Sequence, residues 1–236
     1  MSVVLEGRVV VVSPHLDDAV LSLGATIAGS VQAGAVIEAL TVFAGDPDSQ
    51  APAGPWDTRS GFETEGHASL MRREEDRVAC AILGMTPHWL PYADEQYDRH
   101  GDERTIGAAV AGATRGADVV LLPGAPLVNP DHIWLTLTLL RQGLDCRRVG
   151  LYAEQPYVFQ QRRSIVKLVT PAHLQPVLRL APQWLRNVGA PATRRDKLRA
   201  LSAYRSQLRQ LGLGFFGRRQ MLRHEWRTGG EALAWL

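Results

Sequence analysis

A histidine and two aspartates follow directly after a run of valines near the start of the chain. The sequence VVVSPHLDD spans residues 10–18 and contains His15, Asp17 and Asp18. Two adjacent carboxylates beside an imidazole are costly to desolvate unless a cation or water lies between them. His15 and Asp18 are three residues apart and can converge on one metal ion where a strand turns into a helix. Asp17 then points elsewhere and is available as a general base.

A second histidine stands in a similar position later in the chain. The sequence PLVNPDHIW, residues 126–134, places His132 at the predicted start of a helix that follows another buried strand. If the two strands are close in the sheet, His132 completes a triplet with His15 and Asp18. Three protein ligands and one open position are the usual arrangement of catalytic zinc, which lowers the pKa of its water to about 7. The sequence therefore predicts a hydrolytic zinc site in which Asp17 accepts the proton.

Simpler interpretations of these residues remain open. His15 and His132 could be structural histidines, and Asp18 could serve only as a helix N-cap. An acidic pair after a first strand also holds magnesium in receiver domains, which need a lysine after a later strand. The two lysines of this chain, Lys167 and Lys197, follow no central strand, and the receiver interpretation is therefore disfavoured.

Valine-rich segments alternate with amphipathic, alanine-rich segments along the first two thirds of the chain. This alternation predicts a Rossmann-like, three-layer α/β fold with a mostly parallel sheet. In such sheets ligands bind beyond the carboxyl ends of the strands, where both histidine clusters fall. The strands are predicted over residues 8–13, 36–43, 117–123 and 147–154, and the helices over about 18–33, 66–84, 103–115 and 132–145.

The remaining segments are less regular. Residues 46–66 are polar and rich in proline and glycine, and predict a long functional loop. Prolines interrupt residues 160–193, which we interpret as a flap or interface insertion, and a last helix is predicted over 194–211. The segments from residue 160 onward are expected to form an appended, irregular and helical C-terminal region within a single domain of residues 1–236.

The composition is that of a folded globular protein. Hydrophobic residues make up 45% of the 236 residues and charged residues 21%. No apolar run approaches the about 20 residues that cross a bilayer, and the N-terminus does not resemble a signal peptide, so a cytoplasmic protein is expected. Dinucleotide and P-loop nucleotide sites are not expected, because neither glycine-rich motif is present. The isolated Cys80 and Cys146 predict buried packing residues rather than a disulfide or a cysteine metal site.

The net charge of +2 conceals an asymmetry between the two parts of the chain. Residues 160–236 contain fifteen basic and three acidic residues, whereas residues 1–159 contain eleven basic and twenty-one acidic residues. We expect the basic part to pack across the acidic part or to meet a second copy in a homo-oligomer. It contains no recognisable nucleic-acid motif, and nucleic acid is not expected as a partner.

Together the motifs resemble the LmbE/PIG-L family of metal-dependent N-deacetylases. The resemblance spans residues 8–159 and returns near 194–211. It is carried by Pro14, His15, Asp17 and Asp18 of the first motif, by Pro130, Asp131 and His132 of the second, and by Arg72, Glu75, Ala79, Leu83 and Gly84 of the helix between them.

The resemblance implies hydrolysis of the acetamide group of a small molecule, typically of the N-acetylglucosamine type. Carried over by position, His15, Asp18 and His132 would bind Zn²⁺, or another divalent metal such as Fe²⁺. Asp17 would be the general base.

The resemblance also implies roles for residues outside the metal triplet. Arg72 would contact the substrate, although pairing with Glu75 on the same helix is an equal alternative. Asp131 would orient a ligand histidine rather than bind the metal.

One departure from the family pattern concerns the oxyanion side of the site. Many relatives have histidine where this chain has Asn129, and some have tyrosine where it has Leu127. Asn129 can donate a hydrogen bond to the substrate but carries no charge. The resemblance therefore implies an active deacetylase with a weakened oxyanion side, or a member that has lost catalysis and uses its metal-bound pocket for ligand binding or assembly.

Overall fold

The valine-rich segments lie at the centre of a seven-stranded sheet in the computed structural model, which describes residues 3–97, 101–178 and 183–236. The strand order is β3-β2-β1-β4-β5-β7-β6. The first five strands pair in parallel, and β7 pairs antiparallel with both of its neighbours. The strands are β1 (Arg8–Ser13), β2 (Val36–Thr41), β3 (Thr86–Trp89), β4 (Val119–Ala125), β5 (Arg148–Ala153), β6 (Trp184–Asn187) and β7 (Glu231–Trp235).

Helices cover both faces of this sheet and confirm the predicted Rossmann-like α/β class. Four of them, α1, α3, α4 and α5, match the predicted helices to within three residues at each end. The helices are α1 (Asp18–Gln32), α2 (Pro55–Arg59), α3 (Glu65–Leu83), α4 (Glu103–Thr114), α5 (Pro130–Gln142), α6 (Tyr157–Gln160), α7 (Pro191–Leu201), α8 (Arg205–Leu208) and α9 (Phe215–Thr228).

The four consecutive valines of β1 explain the three layers. Val9 and Val11 belong to the core that includes α1, α3 and α7, whereas Val10 and Val12 belong to the core that includes α4 and α5. Alternate side chains of a strand point to opposite faces, so a run of four valines can fill two cores. All four side chains are buried, and each burial contributes about 1.5 kcal/mol or more.

The structure corrects the prediction in the less regular segments. The loop over 46–66 contains the short helix α2, and the helix over 194–211 is broken after Leu201 into α7 and α8. Strands β3, β6 and β7 and helix α9 were not predicted, because β3 and β6 have only four residues and β7 lacks a valine run. Residues 160–193 contain two 3₁₀ turns and β6, and their role as a flap or interface remains a prediction; residues 179–182 lie outside the described part.

Two smaller expectations have different outcomes. Cys80 is buried as predicted, whereas Cys146 is partly exposed, because it lies in the turn before β5. Within the described ranges, no helix is both long enough and apolar enough to cross a bilayer.

The order of the strands brings three chain segments to one place. Strands β1, β4 and β5 are neighbours, and because they run in parallel their carboxyl ends lie at the same edge of the sheet. The chain reverses its direction of winding between β1 and β4, which is where open α/β sheets bind ligands.

Candidate active site

Three side chains converge at this edge of the sheet as the sequence predicted. His15 Nδ1 lies 3.3 Å from Asp18 Oδ2, and His132 Nε2 lies 3.2 Å from Asp18 Oδ2 and 3.2 Å from His15 Nδ1. Ligands bound tetrahedrally to zinc at about 2.0–2.2 Å stand about 3.3 Å from one another. The three atoms therefore have the separations of zinc ligands.

The turn from β1 into α1 fixes the first two of these residues. Ser13 Oγ donates to the carbonyl of His15 at 2.6 Å and accepts from the amide of Ala19 at 3.0 Å. Asp18 is the first residue of α1, and its Oδ2 accepts from the backbone amide of His15 at 2.8 Å. Asp17 occupies the N-cap position, without a side-chain capping bond, so the interpretation of Asp18 as an N-cap is wrong.

Carboxylates outside the triplet hold both histidine rings. Asp131 Oδ2 lies 3.2 Å from His15 Nε2. Asp131 was expected to orient a ligand histidine, and His15 is the histidine that it contacts. Glu154, at the end of β5, contacts His132 Nδ1 through one oxygen and accepts from the amide of Leu127 at 2.8 Å through the other. These contacts leave His15 Nδ1 and His132 Nε2 facing Asp18.

The cluster is rich in negative charge. Burial alone would raise the pKa of Asp18, but His132 and His15 hold it well below its usual range. Burial and the neighbouring Asp18 raise the pKa of Asp17 to about 7. Although burial opposes protonation, Asp18 and Glu154 raise the pKa of His132 to about 9. Carboxylates that outnumber the histidines fit a site for a divalent cation.

Asp17 faces a cavity of about 520 Å³ that opens beside the triplet. The cavity has an apolar part and a part rich in side-chain amides, which is a usual lining for a small-molecule site. The apolar residues include Leu21, Phe43, Trp56 and Leu211, and the amides include Gln96, Gln160, Gln207 and Gln210.

Arg72 also lines this cavity, and its contact with the substrate stays a prediction. Its guanidinium forms an ion pair with Asp57 and lies 5.6 Å from the ring centroid of Phe62. Glu75 instead accepts from the amide and the hydroxyl of Ser206, at 2.9 and 2.7 Å. The alternative pairing of Arg72 with Glu75 is therefore wrong.

Asn129 also lines this cavity, and its contact with a substrate stays a prediction. It caps α5, with its Oδ1 accepting from the amide of Asp131 at 2.9 Å, and its Nδ2 donates to the hydroxyl of Tyr157 at 3.2 Å. The Tyr157 ring stands edge-on to His132, with the centroids 5.7 Å apart. Because the Tyr157 oxygen accepts from Asn129, its own proton is available to another acceptor in the cavity.

Sequence reasoning missed Glu154 and Tyr157 as site residues. Both belong to YAEQPY, residues 152–157, which was noted without assigning a role to either side chain. An acid at the carboxyl end of a predicted central strand was the available signal for Glu154. Tyr157 gave no comparable signal, because its position depends on the turn between β5 and α6.

The fold and the site define an α/β protein with a candidate metal centre at the carboxyl edge of its parallel sheet. The chain belongs to the family described as PIG-L, GlcNAc-PI de-N-acetylase, whose match spans residues 10–141. All members of the His15, Asp18 and His132 triplet lie within this range. A comparison with curated protein sequences gives no match.

Solved structures of deacetylases have the same fold over nearly the whole chain. A deacetylase triple mutant involved in the teicoplanin biosynthetic pathway is 25% identical, with a TM-score of 0.74 over 97% of this chain and 96% of that one. The A40926 pseudoaglycone deacetylase Dbv21 is 24% identical, with a TM-score of 0.71 and the same coverage. The 4-carboxy-2-hydroxymuconate hydratase GalB from Pseudomonas putida is 18% identical, with a TM-score of 0.60 over 98% of this chain and 96% of that one. The fold thus also occurs in a protein named for a different reaction.

Proposed function

We propose that the protein is a zinc-dependent deacetylase that removes the N-acetyl group from an amino sugar of a small molecule, such as a natural-product intermediate. The observation that carries this proposal is the convergence of His15 Nδ1, Asp18 Oδ2 and His132 Nε2 beside Asp17. Membership of the de-N-acetylase family and the likeness to a deacetylase of the teicoplanin biosynthetic pathway support it.

The metal would be held by His15, Asp18 and His132. When bound, a divalent ion supplies a Lewis acid for the acetamide carbonyl and lowers the pKa of a water in the site. Asp17 accepts a proton from the attacking water as the new C–O bond forms. It returns the proton to the nitrogen as the C–N bond breaks, so that acetate and a free amine are released.

The oxyanion side of the site is assigned to Tyr157. Its hydroxyl accepts from Asn129 at 3.2 Å, which orients the remaining proton toward the cavity that Tyr157 lines. A donor fixed in this way can stabilise the carbonyl oxygen as it gains negative charge. Asn129 then acts as a positioning residue: it orients Tyr157, and Tyr157 takes the role that the charged histidine has in many relatives.

The cavity suits a sugar of modest size. About 520 Å³ lies within the usual range of small-molecule pockets. Trp56 and Leu211 offer apolar surface for the face of a sugar ring, and the amide of Gln207 can bond its hydroxyls.

Acetate release from a panel of N-acetylglucosamine glycosides tests the proposal. The zinc-loaded wild type is compared with Asp17→Asn and with Asp18→Ala, and Fe²⁺-loaded protein shows which metal supports turnover. We expect Asp17→Asn to retain zinc without turnover, and Asp18→Ala to lose the metal. Full activity of Asp17→Asn would disprove the assignment of the base.

A non-catalytic role is the second candidate, and Asn129 is the observation that favours it. A family member that has lost catalysis would bind an N-acetylated sugar in calorimetry but release no acetate from any member of the panel. Asn129→His then separates the two candidates further, because a gain in rate would show an active site limited at its oxyanion side.

A further inference from the structure

Within the described ranges, the basic residues of the C-terminal part, residues 160–236, form no ion pair with the acidic part of the chain. In the described ranges their ion pairs join Lys197 to Glu225 and Glu231, and Arg199 to Asp196. All three acids belong to residues 160–236 themselves. The C-terminal part packs on the acidic part as expected, with α7 in contact with α1 and α3, but this packing does not use its arginines, most of which face solvent.

Helix α9 concentrates these exposed charges on one face. Arg219, Arg223 and Arg227 are exposed and lie four residues apart, so they form a single stripe. Met221 and Leu222 are buried on the other side of the helix. The one acid of α9, Glu225, is fully buried against Lys197, so no acidic side chain of this helix offsets the stripe.

Two adjacent phenylalanines extend this stripe at the start of α9. Phe215 is 52% exposed and Phe216 is 76% exposed, and their rings meet edge to face at 5.2 Å. The guanidinium of Arg219 lies 4.4 Å from the Phe215 centroid. An apolar pair in water beside a row of cations is unusual on a surface that has no partner.

We propose that the α9 face, defined by Phe215, Phe216, Arg219, Arg223 and Arg227, docks on an anionic lipid surface. The phenylalanines enter the boundary between headgroups and acyl chains, and the arginines pair with lipid phosphates. A second copy of the chain is a poor occupant, because a twofold contact would set this row of arginines against itself.

The α9 face follows closely after residues that line the cavity beside Asp17. Gln210 and Leu211, which line that cavity, precede α9 by only a short turn. Gln160 Nε2 also donates to the carbonyl of Leu211 at 3.2 Å, which ties this turn to α6. Binding to lipid does not require the deacetylation proposed above, and its test needs no substrate.

Co-sedimentation with vesicles tests the docking. The full chain is mixed with vesicles of phosphatidylglycerol and phosphatidylcholine, or of phosphatidylcholine alone, at low and high salt. Phe215→Ser with Phe216→Ser removes the apolar pair, and Arg219→Gln with Arg223→Gln removes two charges. Arg115→Gln with Arg147→Gln is the charge-matched control, because both arginines are exposed just before β4 and β5, at the opposite edge of the sheet from the cavity.

We expect the wild type and the control to bind anionic vesicles, with binding that weakens as salt rises. The phenylalanine variant should lose most of the binding, and the arginine variant should bind about 25-fold more weakly, at about fivefold per arginine. Thermal unfolding should be unchanged, since all of these side chains are exposed. Absence of wild-type binding, or equal losses in the variant and the control, would overturn the proposal. Tighter binding to duplex DNA that survives loss of the phenylalanines would assign the face to nucleic acid instead.

Discussion

Replacing Tyr157 by phenylalanine removes one oxygen atom from the site and tests its oxyanion side. The ring remains, so its edge contact with His132 at 5.7 Å is kept and metal binding should not change. Asn129 loses the hydroxyl that it bonds at 3.2 Å, which costs about 1 kcal/mol of stability. Loss of an oxyanion donor costs far more in rate, about 100- to 1,000-fold in kcat.

These magnitudes separate a catalytic role for Tyr157 from a structural one. The assay is acetate release at saturating substrate, with zinc content and urea unfolding measured on the same samples. Tyr92→Phe is the matched control, because Tyr92 packs beside the core that includes α4 and α5 and does not line the cavity. An unchanged kcat for Tyr157→Phe, with zinc retained, would refute the assignment of Tyr157 as the donor.

Three further predictions concern groups that support the site and the fold. Glu154→Gln should weaken metal binding about 10- to 100-fold by releasing His132, as measured by competition with a chelator, and unchanged affinity would show that the contact is dispensable. Lys197→Met should lower the free energy of unfolding in urea by about 3–5 kcal/mol, because it leaves buried carboxylates without their cation; a loss below about 1 kcal/mol would contradict the paired charges. Burial raises the pKa of Asp76 to about 6, so its contribution to stability is present below about pH 4 and is lost as the pH rises through 6. Relative to Asp76→Asn, the wild type should lose about 2 kcal/mol of its free energy of unfolding in urea between about pH 4 and pH 6. The same pH dependence in both proteins would exclude the shift in the pKa of Asp76.

The parts of the molecule that could be predicted from the sequence are those that depend on residues close together in the chain. Four valines in a row define a strand buried on both faces, and the His15–Asp18 spacing defines a turn that brings both side chains to one point. The parallel sheet then brings His132 to the same edge, because β1 and β4 are neighbours. The triplet could be predicted because each step depends on local pattern or on a general rule of α/β topology.

The parts that were missed depend on contacts between distant residues. The carboxylate of Glu154 acquires its role only when β5 lies beside β4 and the ring of His132. Strand β7 resembles a helical segment in composition, and it becomes a strand because it fills the gap between β5 and β6. The sequence offers Glu75, on the same helix, as a partner for Arg72. Only the fold of residues 46–66 brings Asp57 to Arg72 and makes it the actual partner.

The position of β7 has a consequence for the order in which the chain can fold on the ribosome. Strand β6 emerges before β7, yet in the sheet it bonds only to β7 among the described strands. The carboxylate of Glu231 also accepts from the amides of Ala25 and Thr26 in α1 and pairs with Lys197. Until residue 231 has left the exit tunnel, the helix that begins with Asp18 lacks an anchor and Lys197 lacks one of its two anions. A nascent chain can therefore assemble its parallel strands early, but it completes the anchoring of α1, which begins with Asp18, only after translation has passed β7.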